Sequence, residues 1–261
     1  MTAPLYWQTE GEGSDLVLIH GWGMNGAVWQ PIVEKLSSQY RVHTVDLSGY
    51  GYSAELGSAD FDEMVQQVLS QAPKKAAWLG WSLGGLIATQ AALVSPERVS
   101  QLITVASSPR FAAEKGWRGI NPIVLSQFTE QLKADFTLTV ERFMALQAMG
   151  SPNAKQDIKQ VKRAVFSRPA PNQSTLATGL TILADIDLRE RLSQLTMPVC
   201  RMYGRLDGLV PIKVAHDMDE YIPHSTKVVF EQASHAPFIS HSDEFIAELH
   251  RFLQREDECL I

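Results

Sequence analysis

An α/β fold is what this sequence predicts: a mostly parallel sheet, helices on both faces, and a helical cap inserted between two strands. Three observations carry it. Short apolar runs at 16–19, 76–79 and 102–106 and an alternating strand at 41–47 interleave with helically spaced segments, as a parallel sheet covered on both faces requires. That rhythm stops between 110 and about 191, where only helical stretches follow, and returns with a strand near 199–203. The 261 residues, 45% hydrophobic and 20% charged, are enough for one large domain with a full core. The expected organisation is a core made of 1–109 and 192–261, with a cap over 110–191.

Taken in order, the chain starts irregularly and then runs through 16–19 into His20-Gly21-Trp22-Gly23. Val28, Trp29, Ile32, Val33 and Leu36 recur at helical spacing. The strand at 41–47 reaches Asp46 before the turn-rich Ser48-Gly49-Tyr50-Gly51-Tyr52-Ser53. Phe61, Met64, Val65, Val68 and Leu69 mark the next helix. The strand at 102–106 ends in Ser107-Ser108-Pro109. Beyond the cap, 199–203 leads to Gly204-Arg205-Leu206-Asp207, and a helix is expected around 214–218. A strand at 227–230 precedes Ser234-His235, and a last helix spans roughly 242–253.

The organising stretch is 76–93. An apolar run stops at Gly80-Trp81-Ser82-Leu83-Gly84, after which Leu86, Ile87, Gln90 and Leu93 follow helical periodicity towards Ser95-Pro96. A strand that reverses into a helix over so few residues strains the serine backbone, and small neighbours let the two elements close around it. Ser82 is the candidate nucleophile of such an elbow. The Leu83 amide, at the helix N-terminus, points towards developing negative charge.

A serine nucleophile needs a base, and the base needs an acid to fix its tautomer. Of seven histidines, His235 follows the last strand, where a short loop reaches over the sheet's C-terminal edge. His241 lies at the start of the final helix, His43 sits mid-strand, and His216, His224 and His250 fall in exposed-looking helices or turns. Asp207 ends a strand between the serine and the histidine, whereas Asp185 and Asp187 lie at the cap's exit. The order Ser82, Asp207, His235 is that of a serine, acid, histidine triad on an α/β sheet. A second oxyanion donor is the Trp22 amide, and the Trp22 side chain either lines the acyl pocket or is a plain core residue. One rival motif exists: Gly21-Trp22-Gly23-Met24-Asn25-Gly26 reads G-x-G-x-x-G, with Asp46 about twenty residues on. Tryptophan stands where backbone should approach a pyrophosphate, however, and that reading leaves the triad unexplained. Asp46 is instead expected to organise its glycine-rich loop.

Through H-G-W-G at 20–23, D-L-S-G-Y-G-Y-S at 46–53, G-W-S-L-G at 80–84, Asp207 and His235, essentially the whole chain resembles the α/β-hydrolase superfamily. Ser48 departs from it, since proline is usual there. More narrowly, the chain resembles the pimeloyl-[acyl-carrier protein] methyl ester esterases of biotin synthesis. L-I-H-G-W-G-M-N, W-L-G-W-S-L-G-G-L, V-A-S-S-P, E-R-F-M-A-L-Q-A-M-G, Y-G-R-L-D-G-L-V-P and H-A-P-F-I-S-H carry that likeness. The triad mechanism is expected to need no cofactor and no metal. The resemblance implies the α/β-hydrolase fold and demethylation of a carrier-bound pimeloyl ester with release of methanol. It also implies acyl contacts from Trp22, Ser82, Leu83, His235 and the stretch Phe143, Met144, Ala145, Leu146, Gln147. Other reactions of the same triad, thioester or C–C bond hydrolysis, remain open, as does a binding protein using the pocket as a receptor.

Charge adds a partner. The chain carries 23 Lys/Arg against 29 Asp/Glu, net −6, yet 110–185 holds ten against six. Such a balance does not favour nucleic acid. Ser151-Pro152 reads as an N-cap and first-turn proline. On the helix that follows, Lys155, Lys159, Lys162 and Arg163 form one face, with Ile158, Val161 and Val165 opposite. Arg142 extends the charge. Either this is a solvated face, or it meets an acidic acyl-carrier protein. No run approaches the ~18 apolar residues of a membrane helix. The chain's start lacks a leader's basic and apolar regions, and Cys200 and Cys259 offer neither disulfide framework nor metal spacing. A cytoplasmic monomer is expected.

Overall fold

At the centre of the molecule lies β4 (Ala76–Trp81), buried at every residue because helices cover both of its faces. The computed structural model describes residues 3–148 and 154–254. Among them, seven strands form one sheet in the order β1-β3-β2-β4-β5-β6-β7. These are β1 (Tyr6–Glu10), β2 (Ser14–Ile19), β3 (Tyr40–Asp46), β4, β5 (Val99–Val105), β6 (Val199–Gly204) and β7 (Thr226–Phe230). All neighbours pair in parallel except β1, which runs antiparallel to β3 from Tyr6 opposite Asp46 to Glu10 opposite Val42. The sequence reading missed β1. Its Tyr-Trp-Gln-Thr-Glu stretch is mostly half-buried at the sheet's edge, so no apolar run marks it.

Ten helices surround the sheet among the described residues. On the core side are α1 (Gln30–Leu36), α2 (Phe61–Gln71) and α3 (Leu83–Val94). Between β5 and β6 come α4 (Pro122–Ala134), α5 (Phe136–Ala148), α6 (Ala154–Val165) and α7 (Gln173–Asp185). The C-terminal part adds α8 (Ile212–Tyr221), α9 (Pro237–Ser240) and α10 (Ser242–Leu253). α2 starts on a reciprocal cap, in which Asp60 accepts from the Glu63 amide and Glu63 from the Asp60 amide. α3 is apolar around most of its circumference and buried from Leu83 to Ala92. It is the central covering helix of the elbow.

The segments leading into and out of the four inserted helices are tied together. The Leu188 amide donates to the Pro109 carbonyl at 2.9 Å. Arg110 pairs with Glu114 at 3.1 Å, and Arg189 bridges Asp187 and Glu114 while stacking over Trp117. These helices are also pinned to the sheet. Arg168, between α6 and α7, donates to fully buried Asp46 at 2.7 Å and lies over the adjacent rings of Tyr6 and Tyr52. Asp46 further accepts from the amides of Gly26 and Tyr52, both at 2.7 Å, so it does organise the loop that follows β3.

Along α6, Lys155, Lys159 and Arg163 are exposed, whereas Asp157, Val161 and Val165 are buried. Lys162 donates to Glu141 of α5 at 2.7 Å, an ion pair inside the inserted segment. Arg142 is exposed and donates to Gln131 at 3.0 Å. Ser151 and Pro152, read as the start of this helix, lie outside the described residues, as does Cys259. Cys200 is buried in β6. Among the described residues, no helix is long and apolar enough to cross a membrane.

Candidate active site

The elbow follows from local crowding. Ser82 has φ 55° and ψ −117°, and only one other non-glycine described residue, Ala106, has positive φ. Such a backbone costs on the order of 1–3 kcal/mol and persists because its surroundings impose it. The surroundings are visible. A side chain at Gly80 would collide with the Gly84 carbonyl, and one at Gly84 with the carbonyls of Ile19 and His20. Glycine at these two positions lets β4, α3 and the loop after β2 close on Ser82. The Ser82 amide donates to the Val105 carbonyl, and its own carbonyl accepts from the Ser107 hydroxyl at 2.8 Å.

Asp207 and His235 come from the loops after β6 and β7. Gly204 lets those loops meet, since any side chain there would strike the Ser234 carbonyl. Asp207 Oδ1 accepts from the amides of Leu209 at 2.8 Å and Val210 at 3.0 Å. Its Oδ2 lies 2.7 Å from His235 Nδ1. That contact makes Nδ1 the protonated ring nitrogen, leaving Nε2 as an acceptor. Nε2 is buried and has no hydrogen-bond partner among the described residues. Trp81, immediately before Ser82, donates its indole N–H to the His235 carbonyl at 2.8 Å, and so ties the histidine loop to the elbow. The alternative residues lie elsewhere. His241 bonds Ser240, and His43 contacts Asp15 in the sheet. Asp187 is bound to Arg189, whose guanidinium holds its carboxyl below the usual range.

Leu83 is the first residue of α3, where helical amides lack an internal partner. The loop after β2 packs against the serine, and a side chain on Gly21 would meet Ser82 Cβ at 3.2 Å. Trp22 is fully buried, donating to the Leu176 carbonyl of α7 at 2.9 Å and stacking edge-on with Phe143 of α5 at 4.5 Å. Met144 is buried beside it in α5, while Ala145 is exposed. Leu146 and Gln147 belong to α5, but their side chains lie outside the description. The inserted helices therefore roof the site, and Ser82 itself is only 2% exposed.

His20 was legible as a motif residue but not as a support. Its ring is fully buried, Nδ1 donates to the Gly21 carbonyl at 2.8 Å, and Nε2 accepts from the Leu47 amide at 3.1 Å. Both bonds need the neutral ring. Burial drives its pKa down from 6.5 to about 4, against the pull of nearby Asp46. Between those values the unfolded chain binds a proton that the folded chain refuses. The stabilisation is therefore complete above pH 6.5 and is lost as pH falls towards 4. The gap corresponds to on the order of 3 kcal/mol. Urea midpoints measured from pH 7.5 to 4 should fall for the wild type. The advantage of wild type over His20→Gln should be greatest above pH 6.5 and shrink below it; a constant difference would refute the titration.

Sheet order, elbow and crossing helices are those of an α/β hydrolase, and the α/β-hydrolase fold model matches residues 16–242. An esterase from Exiguobacterium antarcticum superposes with a TM-score of 0.83 at 25% identity, over 96% of this chain and 95% of its own. An enol-lactonase from Burkholderia xenovorans LB400 has the same score at 18% identity, covering 96% of each chain, and so shares the fold. In sequence, the pimeloyl-[acyl-carrier protein] methyl ester esterase of Aliivibrio salmonicida is 91% identical over the full length of both chains. The protein of the same name from Vibrio parahaemolyticus is 62% identical, over 97% of this chain and all of its own. The chain belongs to the α/β-hydrolase family and, within it, to the pimeloyl-[acyl-carrier protein] methyl ester esterases.

Proposed function

We infer that this protein is a carboxylic ester hydrolase that removes the methyl ester of pimeloyl-[acyl-carrier protein], releasing methanol and a free terminal carboxylate for biotin synthesis. The observation that carries the chemistry is the buried Nε2 of His235, without a hydrogen-bond partner among the described residues, opposite an Nδ1 held by Asp207, in a loop tied to the strained Ser82 elbow. Ser82 Oγ attacks the ester carbonyl while Nε2 takes its proton. The amides of Leu83 and Trp22 receive the oxyanion, where donors fixed in advance act most strongly. Collapse expels methanol, protonated from His235, and water then attacks the acyl-enzyme with His235 again as base. Asp207 holds the tautomer throughout.

In this reading residues 110–191 act as the cap, and Trp22, Phe143, Met144, Ala145, Leu146 and Gln147 contact the acyl chain. The exposed cations Arg142, Lys155, Lys159 and Arg163 meet the acidic carrier, with Lys162 contributing through its pair with Glu141. The protein acts in the cytoplasm as a monomer. The test is mass spectrometry of the carrier-bound methyl ester after incubation with the protein. Loss of one methylene mass from an intact carrier conjugate is the expected result. Release of the bare carrier arm would mean thioesterase activity instead, and no change at all would leave a binding protein.

The carrier face has its own expected result. Exposed charges act over a Debye length of about 8 Å at physiological salt, so they steer a docking partner more than they alter a bond-breaking step. Reversing Arg142, Lys155 and Lys159 together to glutamate should lower kcat/KM for the carrier-bound ester by roughly 10–10³-fold, fading as salt rises. kcat should change little, and so should turnover of a small neutral ester. Equal losses on both substrates would point to damaged packing, and no loss to a merely solvated face.

A further inference from the structure

Glycine is a poor choice for the middle of a helix, where alanine is the better helix former. Gly179 nevertheless stands inside α7, where it is buried, and its φ is not positive. The reason lies in its neighbours. A Cβ on Gly179 would be 2.4 Å from Trp22 Cδ1, 2.9 Å from Trp22 Nε1 and 2.8 Å from the Tyr50 hydroxyl oxygen. Carbon atoms pack at about 3.5–4.0 Å, so a methyl group there would have to drive the Trp22 ring or α7 back by about 1 Å. Neither aromatic ring has room to yield. Both are fully buried; Trp22 meets Phe143 of α5 edge-on at 4.5 Å, and Tyr50 meets His20 edge-on at 5.3 Å. Three residues before Gly179, the Leu176 carbonyl accepts the Trp22 indole N–H at 2.9 Å. The hydrogen bond and the absent side chain together make a slot on α7 in which the indole lies.

We propose that Gly179 is a positioning residue: by leaving room for the Trp22 indole against α7, it sets where the inserted helices meet the loop after β2, and so where the Trp22 amide stands. This rests on the reading of Trp22 as an oxyanion donor above. The same loop is held from behind. The Gly21 carbonyl, which shares a peptide unit with the Trp22 amide, accepts from His20 Nδ1 at 2.8 Å and from the Met24 amide at 3.2 Å. The C=O and N–H of a trans peptide point opposite ways, so these bonds turn the Trp22 N–H away from His20. They set the amide's direction, and the slot on α7 limits how far the residue can slide. A donor of this kind acts because it is in place before the charge develops. A misplacement of about 1 Å, caused by a substitution away from the chemistry, is enough to cost about 10²-fold in rate. Gly179 acts through Trp22 and not on the ester.

The test uses p-nitrophenyl acetate, a small neutral ester whose acyl group needs neither a carrier nor a long pocket. kcat and KM are measured for wild type, Gly179→Ala, Trp22→Phe and the double variant, at a temperature well below the thermal midpoint of each. Gly179→Ala should lower kcat by roughly 10–10²-fold and change KM far less, although alanine is the better helix former. In the Trp22→Phe background the smaller ring leaves room for the new methyl group. There the same substitution should cost no more than about twofold, because residues in contact couple and independent ones add. Equal losses in both backgrounds would overturn the proposal, since alanine would then act elsewhere than on Trp22. So would a raised KM with kcat unchanged, which would make the slot part of the acyl pocket alone. A lowered midpoint with kcat unchanged, or failure of Gly179→Ala to fold, would make Gly179 a packing residue and likewise overturn it. A wild type that neither cleaves this ester nor reacts with a fluorophosphonate probe would instead bring down the reading of the site, and the proposal with it.

Discussion

Ser82→Ala should lower kcat for ester hydrolysis by roughly 10⁶-fold, as removal of the nucleophile does in other serine triads. The rate that survives should still exceed uncatalysed hydrolysis, by about 10³–10⁴-fold, because the Leu83 and Trp22 amides and the roofed pocket remain. The fold should survive as well. The Ser82 main chain keeps its bonds to Val105 and Ser107, and alanine meets the same backbone strain at φ 55°. A fluorophosphonate probe should label the wild type once, at Ser82, and leave the variant unlabelled. Steady-state kinetics with circular dichroism on both proteins checks this. Near-wild-type turnover by the variant would mean that some other group attacks the ester.

What could be seen in the sequence follows the range of the interactions. The elbow is local: within five residues, two glycines, a serine and the change from strand to helix are all readable. Asp207 and His235 lie far apart in sequence, but each ends a strand, and parallel strands bring their C-terminal ends to one edge. Side chains that cross between elements were not readable in this way. The buried Arg168–Asp46 pair joins residues 122 apart, and Trp22 finds the Leu176 carbonyl 154 residues away. Asp46 and Trp22 stand in motifs, but Arg168 and Leu176, which they meet, do not. β1 escaped because an edge strand needs no continuous apolar run. Asp157 escaped for the opposite reason. On α6 Lys155, Lys159 and Arg163 are exposed and Val161 and Val165 buried, as a two-faced helix requires, and a buried acid belongs to neither face.

Asp207→Asn should cost about 10⁴-fold in kcat, the precedent for a triad acid made neutral, with KM for a small ester altered far less. The geometry explains why so small a change costs so much. Asp207 Oδ1 takes two amide N–H groups, from Leu209 and Val210, and an asparagine carbonyl oxygen can keep both. That orientation leaves the asparagine NH₂ facing His235 Nδ1, at the position where Oδ2 now lies 2.7 Å away. Two donors then face each other, and the ring resolves the clash by moving its proton to Nε2. His235 is left pointing an N–H where it must accept one, so Ser82 loses its base although every residue stays in place. Asp185→Asn and Asp187→Asn are the controls. Asp187 is engaged by Arg189 at the protein surface, and exposed pairs of this kind contribute about 0.2–1 kcal/mol of stability. Neither control should alter kcat appreciably. Turnover at saturating ester, measured for the three variants side by side, decides between them, and a loss confined to Asp185→Asn or Asp187→Asn would move the acid from the end of β6 to the segment after α7.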